Sequence, residues 1–177
     1  QLLDLPKLIK LFDVNKIHKQ NPIFDQKKLD YFNGLMIRKM GRTELVNKLG
    51  EFLPADCPRE LAEKIEPLAQ ERLVKLSDWE EMTGFFYRPV EIPWAMIKKT
   101  VKGLELDLGL KIAYDLIEQT QYWRAEMIEQ EFRRKAEIEG LPLGKWFMLI
   151  RLVITGKTIT PPLFATMETL GKDLVLK

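Results

Sequence analysis

The sequence predicts an all-α fold, and two observations lead to this prediction. Apolar residues recur three and four positions apart along nearly the whole chain, the spacing that places them on one face of a helix. The longest such stripe comprises Leu106, Leu110, Ala113 and Ile117. Strand-like alternation is nearly absent, and only residues 85–87 and 152–154 form short β-prone runs. Because 46% of the 177 residues are hydrophobic, the helices can bury a substantial core.

Helix-start residues place the elements of the first half. Asp25 is a typical N-cap residue ahead of an apolar stripe. Pro58 is typical of a helix start and precedes a second stripe. The second stripe comprises Leu61, Ile65 and Leu68. Residues 77–80, with a serine followed three positions later by a glutamate, have the spacing of a capping box. These signals predict one helix at each of the three places.

Proline and glycine mark the helices of the second half. Pro93 begins one helix, and a charged helix is predicted over residues 122–138, where a glycine C-cap follows. A strongly apolar helix is predicted over residues 143–154 and is closed by Gly156. The consecutive prolines at 161–162 begin the last helix.

Charge and composition narrow the possible functions. The net charge of the chain is only +2, so no strong overall field attracts nucleic acid or a membrane. Residues 1–50 carry ten Lys/Arg and five Asp/Glu, whereas residues 51–150 carry fourteen and nineteen. We therefore expect a basic surface at the amino-terminal end. The single Cys57 and single His18 exclude a disulfide framework and a cysteine- or histidine-rich metal centre.

Catalytic and targeting signals are missing from the sequence. No Walker loop, Gly-x-Gly-x-x-Gly, His-Glu-x-x-His or Gly-x-Ser-x-Gly motif occurs, so we expect no catalytic residue and no metal ligand. No apolar run approaches the roughly 18–20 residues of a membrane span, and no signal peptide is visible. A cytoplasmic protein without membrane contact is predicted. Because the chain starts without Met, we expect it to be part of a longer protein.

Arg72 departs from the apolar pattern around it. It continues the stripe that begins at Leu61, so an uninterrupted helix places its charge on the apolar face. In one interpretation Pro67 kinks the helix and turns Arg72 into solvent. In the other, packed neighbours hold the guanidinium at the rim of a ligand site. Both interpretations stay open on the sequence.

Arg151 lies in a segment that is apolar nearly all round, a pattern typical of a buried helix. An arginine there is either paired inside the protein or directed into a binding cleft. Residues 155–162, which follow it, supply hydroxyl groups, a lysine and the free amides of a helix start. Such groups are natural partners of phosphates and base edges, so the pattern indicates a nucleic-acid site.

Five segments of the chain carry a family resemblance. Residues 24–38 contain Phe-Asp, a Lys-Leu pair, Asn-Gly and a final Ile-Arg at fixed spacing. Gly-Leu-Pro-Leu-Gly at 140–144, Leu-Ile-Arg-Leu-Val-Ile-Thr-Gly at 149–156, Thr-Pro-Pro-Leu-Phe at 160–164 and Leu-Gly-Lys at 170–172 follow. These segments resemble the carboxyl-terminal half of bacterial glutamyl-tRNA synthetases, and the resemblance covers essentially the whole chain.

The resemblance implies the helical anticodon-binding region of a class I synthetase, made of an amino-terminal segment and two helical subdomains. By this resemblance the stem-contact segment spans residues 1–45, the first anticodon-binding subdomain residues 46–110 and the second residues 111–177. The residues that match the family's anticodon contacts are Arg72, Arg133, Arg151, Thr160, Pro161 and Leu163. Those that match its stem and backbone contacts are Asn33, Gly34, Arg38, Lys27 and Lys28.

The resemblance also implies how these residues read tRNA. Arg72 matches the arginine at the third anticodon base, where glutamate tRNA has cytosine and glutamine tRNA has guanine. Arg151 matches the arginine beside the first two bases, and Thr160 belongs to the loop and helix start that pack on them. For Asn33-Gly34, a role in packing one helix on its neighbours remains open beside RNA contact. Together with Lys16, Lys19 and Lys39, the basic residues of the stem and backbone set are expected to follow the tRNA backbone.

The expected partners are glutamate tRNA and the missing amino-terminal catalytic domain. In that domain the parent enzyme would use ATP and Mg²⁺ to activate glutamate. Its nucleotide-binding signatures are absent from this sequence, so we expect this chain to hold no cofactor and to be inactive alone, as a monomer. The alternative is a helical protein-interaction module whose apolar grooves receive partner helices, without RNA binding.

Overall fold

All regular structure in the described part of the chain is helical. The structure, a computed structural model, describes residues 3–16 and 23–177. The α-helices in these ranges are α1 (Leu5–Leu11), α2 (Gln26–Lys39), α3 (Arg42–Leu49), α4 (Arg59–Ala69), α5 (Trp79–Thr83), α6 (Trp94–Thr100), α7 (Leu106–Gln119), α8 (Ala125–Ile138), α9 (Leu143–Thr155), α10 (Leu163–Leu170) and α11 (Lys172–Val175). Short 3₁₀ helices cover Val14–Lys16, Leu76–Asp78 and Gly84–Phe86. The predicted all-α fold is confirmed.

A first buried cluster is formed by α2 to α5 and the turn that follows them. It consists of Ile37, Leu45, Leu49, Cys57, Ala62, Ile65, Ala69, Leu73, Trp79, Phe85 and Phe86. Trp79 is the largest fully buried side chain of this cluster. The β-prone run at 85–87 is therefore not a strand. Phe85 and Phe86 lie in a short 3₁₀ helix, where both rings are buried in the core.

A second buried cluster is formed by α6 to α10. Its centre is aromatic: the ring of Phe132 on α8 stacks on that of Trp146 on α9 with centroids 5.1 Å apart. The indole N–H of Trp146 donates to the carbonyl of Gly109 on α7 at 2.8 Å, so the buried polar atom is satisfied. Since α9 packs on α6 and α7 and carries buried residues on several faces, its apolar composition is explained.

Several predicted helix boundaries agree with the structure. The Asp25 carboxylate accepts from the Lys28 amide at 3.1 Å and caps α2. α4 begins directly after Pro58, and α6 directly after Pro93. α9 ends in a left-handed cap at Gly156, whose φ is 70°, a conformation that favours glycine.

Two predicted starts are wrong. Ser77 makes no cap; instead the Asp78 carboxylate accepts from the Lys75 amide at 2.9 Å, three residues upstream. The charged helix begins at Ala125 rather than at Tyr122. Its first turn receives its acceptor from another helix, because the Glu168 carboxylate on α10 accepts from the Ala125 amide at 2.8 Å.

The two clusters are joined by side chains that cross between them. α10 packs on α8 of the second cluster and on α4 of the first. The ammonium group of Lys157, just after α9, donates to the carbonyl of Glu81 on α5. Along the chain the clusters meet between Phe86 and Ile97, and the three-part division at 45 and 110 stays a prediction.

His18 and Lys19 lie outside the described residues. Within residues 3–16 and 23–177, no helix is long and apolar enough to cross a membrane.

Candidate nucleic-acid interface

Arg151 is the centre of a small built cluster. Its guanidinium donates from one nitrogen to the hydroxyl of Thr160 and to the carbonyl of Pro161, the latter at 3.0 Å. The Thr160 hydroxyl in turn donates to the Pro161 carbonyl at 2.9 Å. The side chain of Arg151 is half-buried, whereas Thr160 is only 1% exposed. The structure thus brings together three residues that the sequence separates by up to ten positions.

Local backbone geometry produces this cluster. Gly156 reverses the chain after α9, and a Cβ there would lie 3.3 Å from the carbonyl oxygen of Glu91 and 3.2 Å from a methyl of Val90. The Thr155 hydroxyl donates to the Arg151 carbonyl at 2.6 Å and accepts from the Lys157 amide at 3.2 Å. These contacts fix the start of the loop, and the Arg151 donors hold its other end at Thr160 and Pro161.

Arg72 lies close enough to Arg151 for its positive charge to act on it. α4 ends at Ala69, and the next residues turn, so that the Arg72 amide donates to the Ala69 carbonyl at 2.8 Å. The turn removes Arg72 from the apolar stripe, and the side chain is exposed. Of the two open interpretations, the structure therefore supports the exposed arginine, with Pro67 inside the last turn of α4. The ligand-site interpretation of Arg72 stays a prediction.

The pKa of Arg151 reports this proximity. Burial lowers the pKa of the Arg151 guanidinium, and the positive charge of Arg72 lowers it further. The Arg151 guanidinium nevertheless stays protonated at neutral pH. Among the described residues, no Asp or Glu forms an ion pair with either arginine. Two like charges held together without an acid form a site that favours a ligand rich in acceptors.

Arg133 differs from the other two arginines because it has an acidic partner. On α8 it pairs with Glu129, nitrogen to oxygen, at 2.6 Å. Its guanidinium also lies over the ring of Phe147, 5.6 Å from the centroid. That ring meets Phe164 of α10 edge to face at 5.0 Å, so an aromatic surface connects α8 to the helix after the Thr160 loop.

The start of α10 presents backbone groups rather than side chains. Pro161 is buried and Leu163 is 4% exposed, so neither offers a large side-chain surface. Pro162 precedes the helix and no side chain caps its first amides. Free amides at a helix start attract acceptor groups and negative charge.

The predicted stem-contact residues divide into two groups. Lys27 and Lys28 are exposed at the start of α2. Asn33 and Arg38 instead direct side-chain donors onto the backbone that carries Arg72, and Gly34 is buried against it. Contact of these residues with RNA stays a prediction.

Sequence reasoning missed three residues that shape the site. Phe147 lies one turn before Arg151 on α9, and this i, i+4 spacing could have shown from the sequence that the two residues share a face of the helix. Lys157 was included only as a basic loop residue, whereas its ammonium group donates to the Glu81 carbonyl, 76 positions away. The Gln70 amide, which binds carbonyls of α2, carries no sequence signal at all.

No metal centre accompanies the site. In the two described ranges, no group of three His, Cys, Asp or Glu side chains lies close enough together to hold a metal ion.

Comparison with known proteins identifies the family. The model of the anticodon binding domain matches residues 44–177. The chain is 28% identical over 188 residues to a glutamate–tRNA ligase of Roseiflexus sp. (strain RS-1), covering 100% of this chain and 37% of that protein. It is 32% identical over 186 residues to the glutamate–tRNA ligase of Dehalococcoides mccartyi (strain ATCC BAA-2266 / KCTC 15142 / 195), covering 99% of this chain and 38% of that protein.

A solved structure agrees with these relatives. The crystal structure of a glutamate tRNA ligase from Elizabethkingia meningosepticum CCUG26117 in complex with its amino acid superposes with a TM-score of 0.77 at 26% identity. The match covers 98% of this chain and 35% of that protein, so the chain spans well under half the length of its relatives. The resemblance noted in the sequence is confirmed. The chain belongs to the anticodon binding domain family, and it corresponds to the carboxyl-terminal, anticodon-binding portion of the glutamate–tRNA ligases.

Proposed function

We propose that this chain recognises the tRNA for glutamate by binding its anticodon at the site formed by Arg72, Arg151 and the Thr160 loop. The observation that carries the proposal is that the half-buried Arg151 donates into the Thr160 loop and feels the charge of Arg72, while neither arginine has an ion-pair partner among the described residues. Holding them together in the free protein is unfavourable, because burial and mutual repulsion both oppose the charge of Arg151. An RNA loop with its acceptor groups and phosphates offsets this cost on binding.

The donor geometry of the two arginines assigns them different tasks. One nitrogen of the Arg151 guanidinium already donates to Thr160 and Pro161, so the remaining donors of Arg151 have a fixed direction. It is the residue proposed for the first two bases, next to the free amides of α10. Arg72 is exposed and free to reach a base, and a guanidinium only donates. The ring nitrogen and oxygen of cytosine accept, so Arg72 is the residue proposed for the third anticodon base.

Other surfaces are proposed for weaker, sequence-independent contact. Lys27 and Lys28 lie exposed at the start of α2 and are suited to phosphate oxygens of the stem. Arg133, engaged by Glu129 and Phe147, is proposed to contact the anticodon loop through its remaining donors. Contacts of this kind fix the register of the RNA without reading its bases.

The complete ligase would supply the chemistry. We propose that a preceding catalytic part binds glutamate, ATP and Mg²⁺ and joins glutamate to the tRNA, and that this chain holds none of them. A monomeric cytoplasmic protein is expected for that role.

The experiment compares two anticodon stem–loops that differ at the third anticodon base, cytosine in one and guanine in the other. The wild-type chain should bind the cytosine form more tightly. Arg72→Gln replaces a pure donor with an amide that also accepts, and it should narrow the preference by about 1–3 kcal/mol, the range of a good base contact. The matched control is Arg59→Gln, an exposed arginine on α4 that pairs with Glu63.

Three results would contradict the proposal. One is a wild-type chain that binds neither RNA, or binds both equally. Another is a preference that Arg72→Gln leaves unchanged. Finally, binding that does not weaken as salt rises would favour the protein-interaction alternative, since electrostatic RNA binding depends steeply on salt.

A further inference from the structure

One face of α2 lies against the backbone that carries Arg72. The residues of this face recur at i, i+3, i+4, i+7 and i+8, which places them on one side of the helix. They are Asp30, Asn33, Gly34, Ile37 and Arg38. The segment they face is Gln70–Lys75, called here the Arg72 segment, which follows α4 and is not helical after its first residue.

Side-chain donors of α2 bind carbonyls on both sides of Arg72. The Asn33 amide donates to the Val74 carbonyl, two residues after Arg72. The Arg38 guanidinium donates to the Glu71 carbonyl, one residue before it, at 3.5 Å. In this way two otherwise unpaired carbonyls of an irregular segment are satisfied.

The Arg72 segment also binds α2 in return. The Gln70 amide donates to the carbonyls of Ile37 at 3.0 Å and Met40 at 2.9 Å, at the end of the helix, where the Ile37 carbonyl also accepts from the Met40 amide at 3.1 Å. The Lys75 ammonium lies 3.6 Å from the Asp30 carboxylate. Contacts to α2 therefore occur at both ends of the segment and on either side of Arg72.

Gly34 permits this close approach. A Cβ at Gly34 would lie 3.5 Å from the Leu73 carbonyl and 3.2 Å from the Arg38 guanidinium. Leu73 itself is fully buried in the first cluster. The buried Leu73 side chain and the hydrogen bonds from Asn33 and Arg38 thus hold the backbone on either side of Arg72. The Arg72 side chain itself is exposed.

We propose that Asn33, Gly34 and Arg38 are positioning residues for Arg72: they hold its backbone so that its guanidinium stands next to Arg151 in the base-reading site. The inference rests on the proposed function. No ion pair of the described residues includes Arg72, so only its backbone determines where the guanidinium starts. A displacement of about 1 Å is enough to spoil a directed contact.

The test is a double-mutant cycle in the full chain, with the two anticodon stem–loops as probes. Asn33→Ala removes the link to Val74 at an exposed helical position where alanine is well tolerated. It should reduce the preference for cytosine over guanine about tenfold. In the background of Arg72→Gln the same change should have little further effect, because there is no longer a guanidinium to position. Asn47→Ala, an exposed asparagine that binds Arg59 on α4, is the matched control and should leave the preference unchanged.

Amide hydrogen exchange supplies a readout that needs no RNA. In Asn33→Ala, exchange should rise in peptides that span residues 71–75, with no change around α8. Gly34→Ala is the second variant, because its added methyl would lie 3.2 Å from the Arg38 guanidinium and should displace the donor that binds the Glu71 carbonyl. A wild-type-like exchange pattern in both variants would overturn the inference.

The outcomes separate this inference from the proposed function. A wild-type chain without base preference overturns the proposed function and the inference with it. A wild-type preference that Asn33→Ala does not change overturns the inference alone. Equal weakening of both RNAs by Asn33→Ala, in the presence or absence of Arg72→Gln, also overturns it and assigns Asn33 to direct RNA contact.

Discussion

At the residue scale, Glu66 is a charged group in the first core. It is 1% exposed on α4, one carboxylate oxygen has no hydrogen-bond partner, and the other lies 3.7 Å from the Arg42 guanidinium. Burial raises the pKa of Glu66, and Arg42 only partly opposes the shift. Ionisation of this buried carboxyl group is therefore unfavourable in the folded chain.

This burial predicts a dependence of stability on pH. Because the folded pKa of Glu66 lies above its ordinary 4.5, the folded chain keeps a proton that the unfolded chain releases. The contribution of Glu66 to the free energy of unfolding is therefore full below pH 4.5 and falls as pH rises through the folded pKa. Glu66→Gln should remove this decline. Urea unfolding at pH 5 and pH 8 measures it, and an identical pH dependence in the two proteins would contradict the assignment.

Single residues were found from sequence when they broke a pattern. Arg72 and Arg151 both interrupt apolar stripes, and both lie at the site. Glu66 breaks the buried face of α4 in the same way, so the signal was present. Gln70 could not be found, because its amide acts on carbonyls about thirty residues away and nothing local marks it.

At the element scale, α8 depends on a partner for its start. Arg124 precedes the helix and makes no side-chain cap. The Glu168 carboxylate of α10 accepts from the Ala125 amide at 2.8 Å and pairs with Arg124 at 3.1 Å. The Ala125 amide, and to a lesser degree Arg124, lowers the pKa of Glu168.

Glu168→Ala should lower the free energy of unfolding by about 1 kcal/mol, the usual value of an N-terminal cap. Since the folded pKa lies below the ordinary 4.5, the stabilising contribution is present above pH 4.5 and is lost as pH falls through the folded pKa. The difference in the free energy of unfolding between the wild type and Glu168→Ala should therefore become smaller as the pH falls. Denaturant titrations near neutral pH and near pH 3 check both points, and a deficit that grows in acid would disprove them.

Helix existence was predictable, whereas helix starts were predictable only when the cap is local. Asp25 caps its own helix and was identified. The start of α8 was misplaced by three residues, because its acceptor comes from Glu168, 43 positions away. The capping box at Ser77 failed for a different reason, because a local competitor replaces it: the Asp78 carboxylate accepts from the Lys75 amide, three residues upstream.

At the scale of the whole molecule, the exposed basic residues of α2 and the site proposed for base reading lie on different elements. Lys27 and Lys28 are exposed on α2, in the amino-terminal part of the chain that carries the excess of basic residues. The site proposed for base reading lies instead at the end of α4 and the start of α10. The sequence showed the charge excess, but the approach of Arg72 to Arg151 depends on tertiary packing across 79 positions and is absent from any local pattern.

Neutralising both lysines with Lys27→Gln and Lys28→Gln should weaken binding of complete tRNAs without changing the preference among anticodons. Phosphate contacts add affinity for every sequence, and the salt slope should fall by about one for each lysine lost. Filter binding of glutamate and glutamine tRNA over a range of salt concentrations measures both quantities. A loss confined to glutamate tRNA would instead place these lysines in sequence recognition.

The exposure of Arg72 has a consequence for how specificity changes over evolutionary time. Replacements at exposed positions usually alter stability by no more than about 0.5 kcal/mol, so selection for folding barely constrains this side chain. Arg151 is different, because its donors also hold the Thr160 loop, and a replacement removes the donor from which the buried Thr160 hydroxyl accepts. Under the proposed function, a lineage can therefore relax or restore discrimination at the third anticodon base by one tolerated substitution at Arg72. Reading of the first two bases would instead be tied to the fold through Arg151 and be far less free to change.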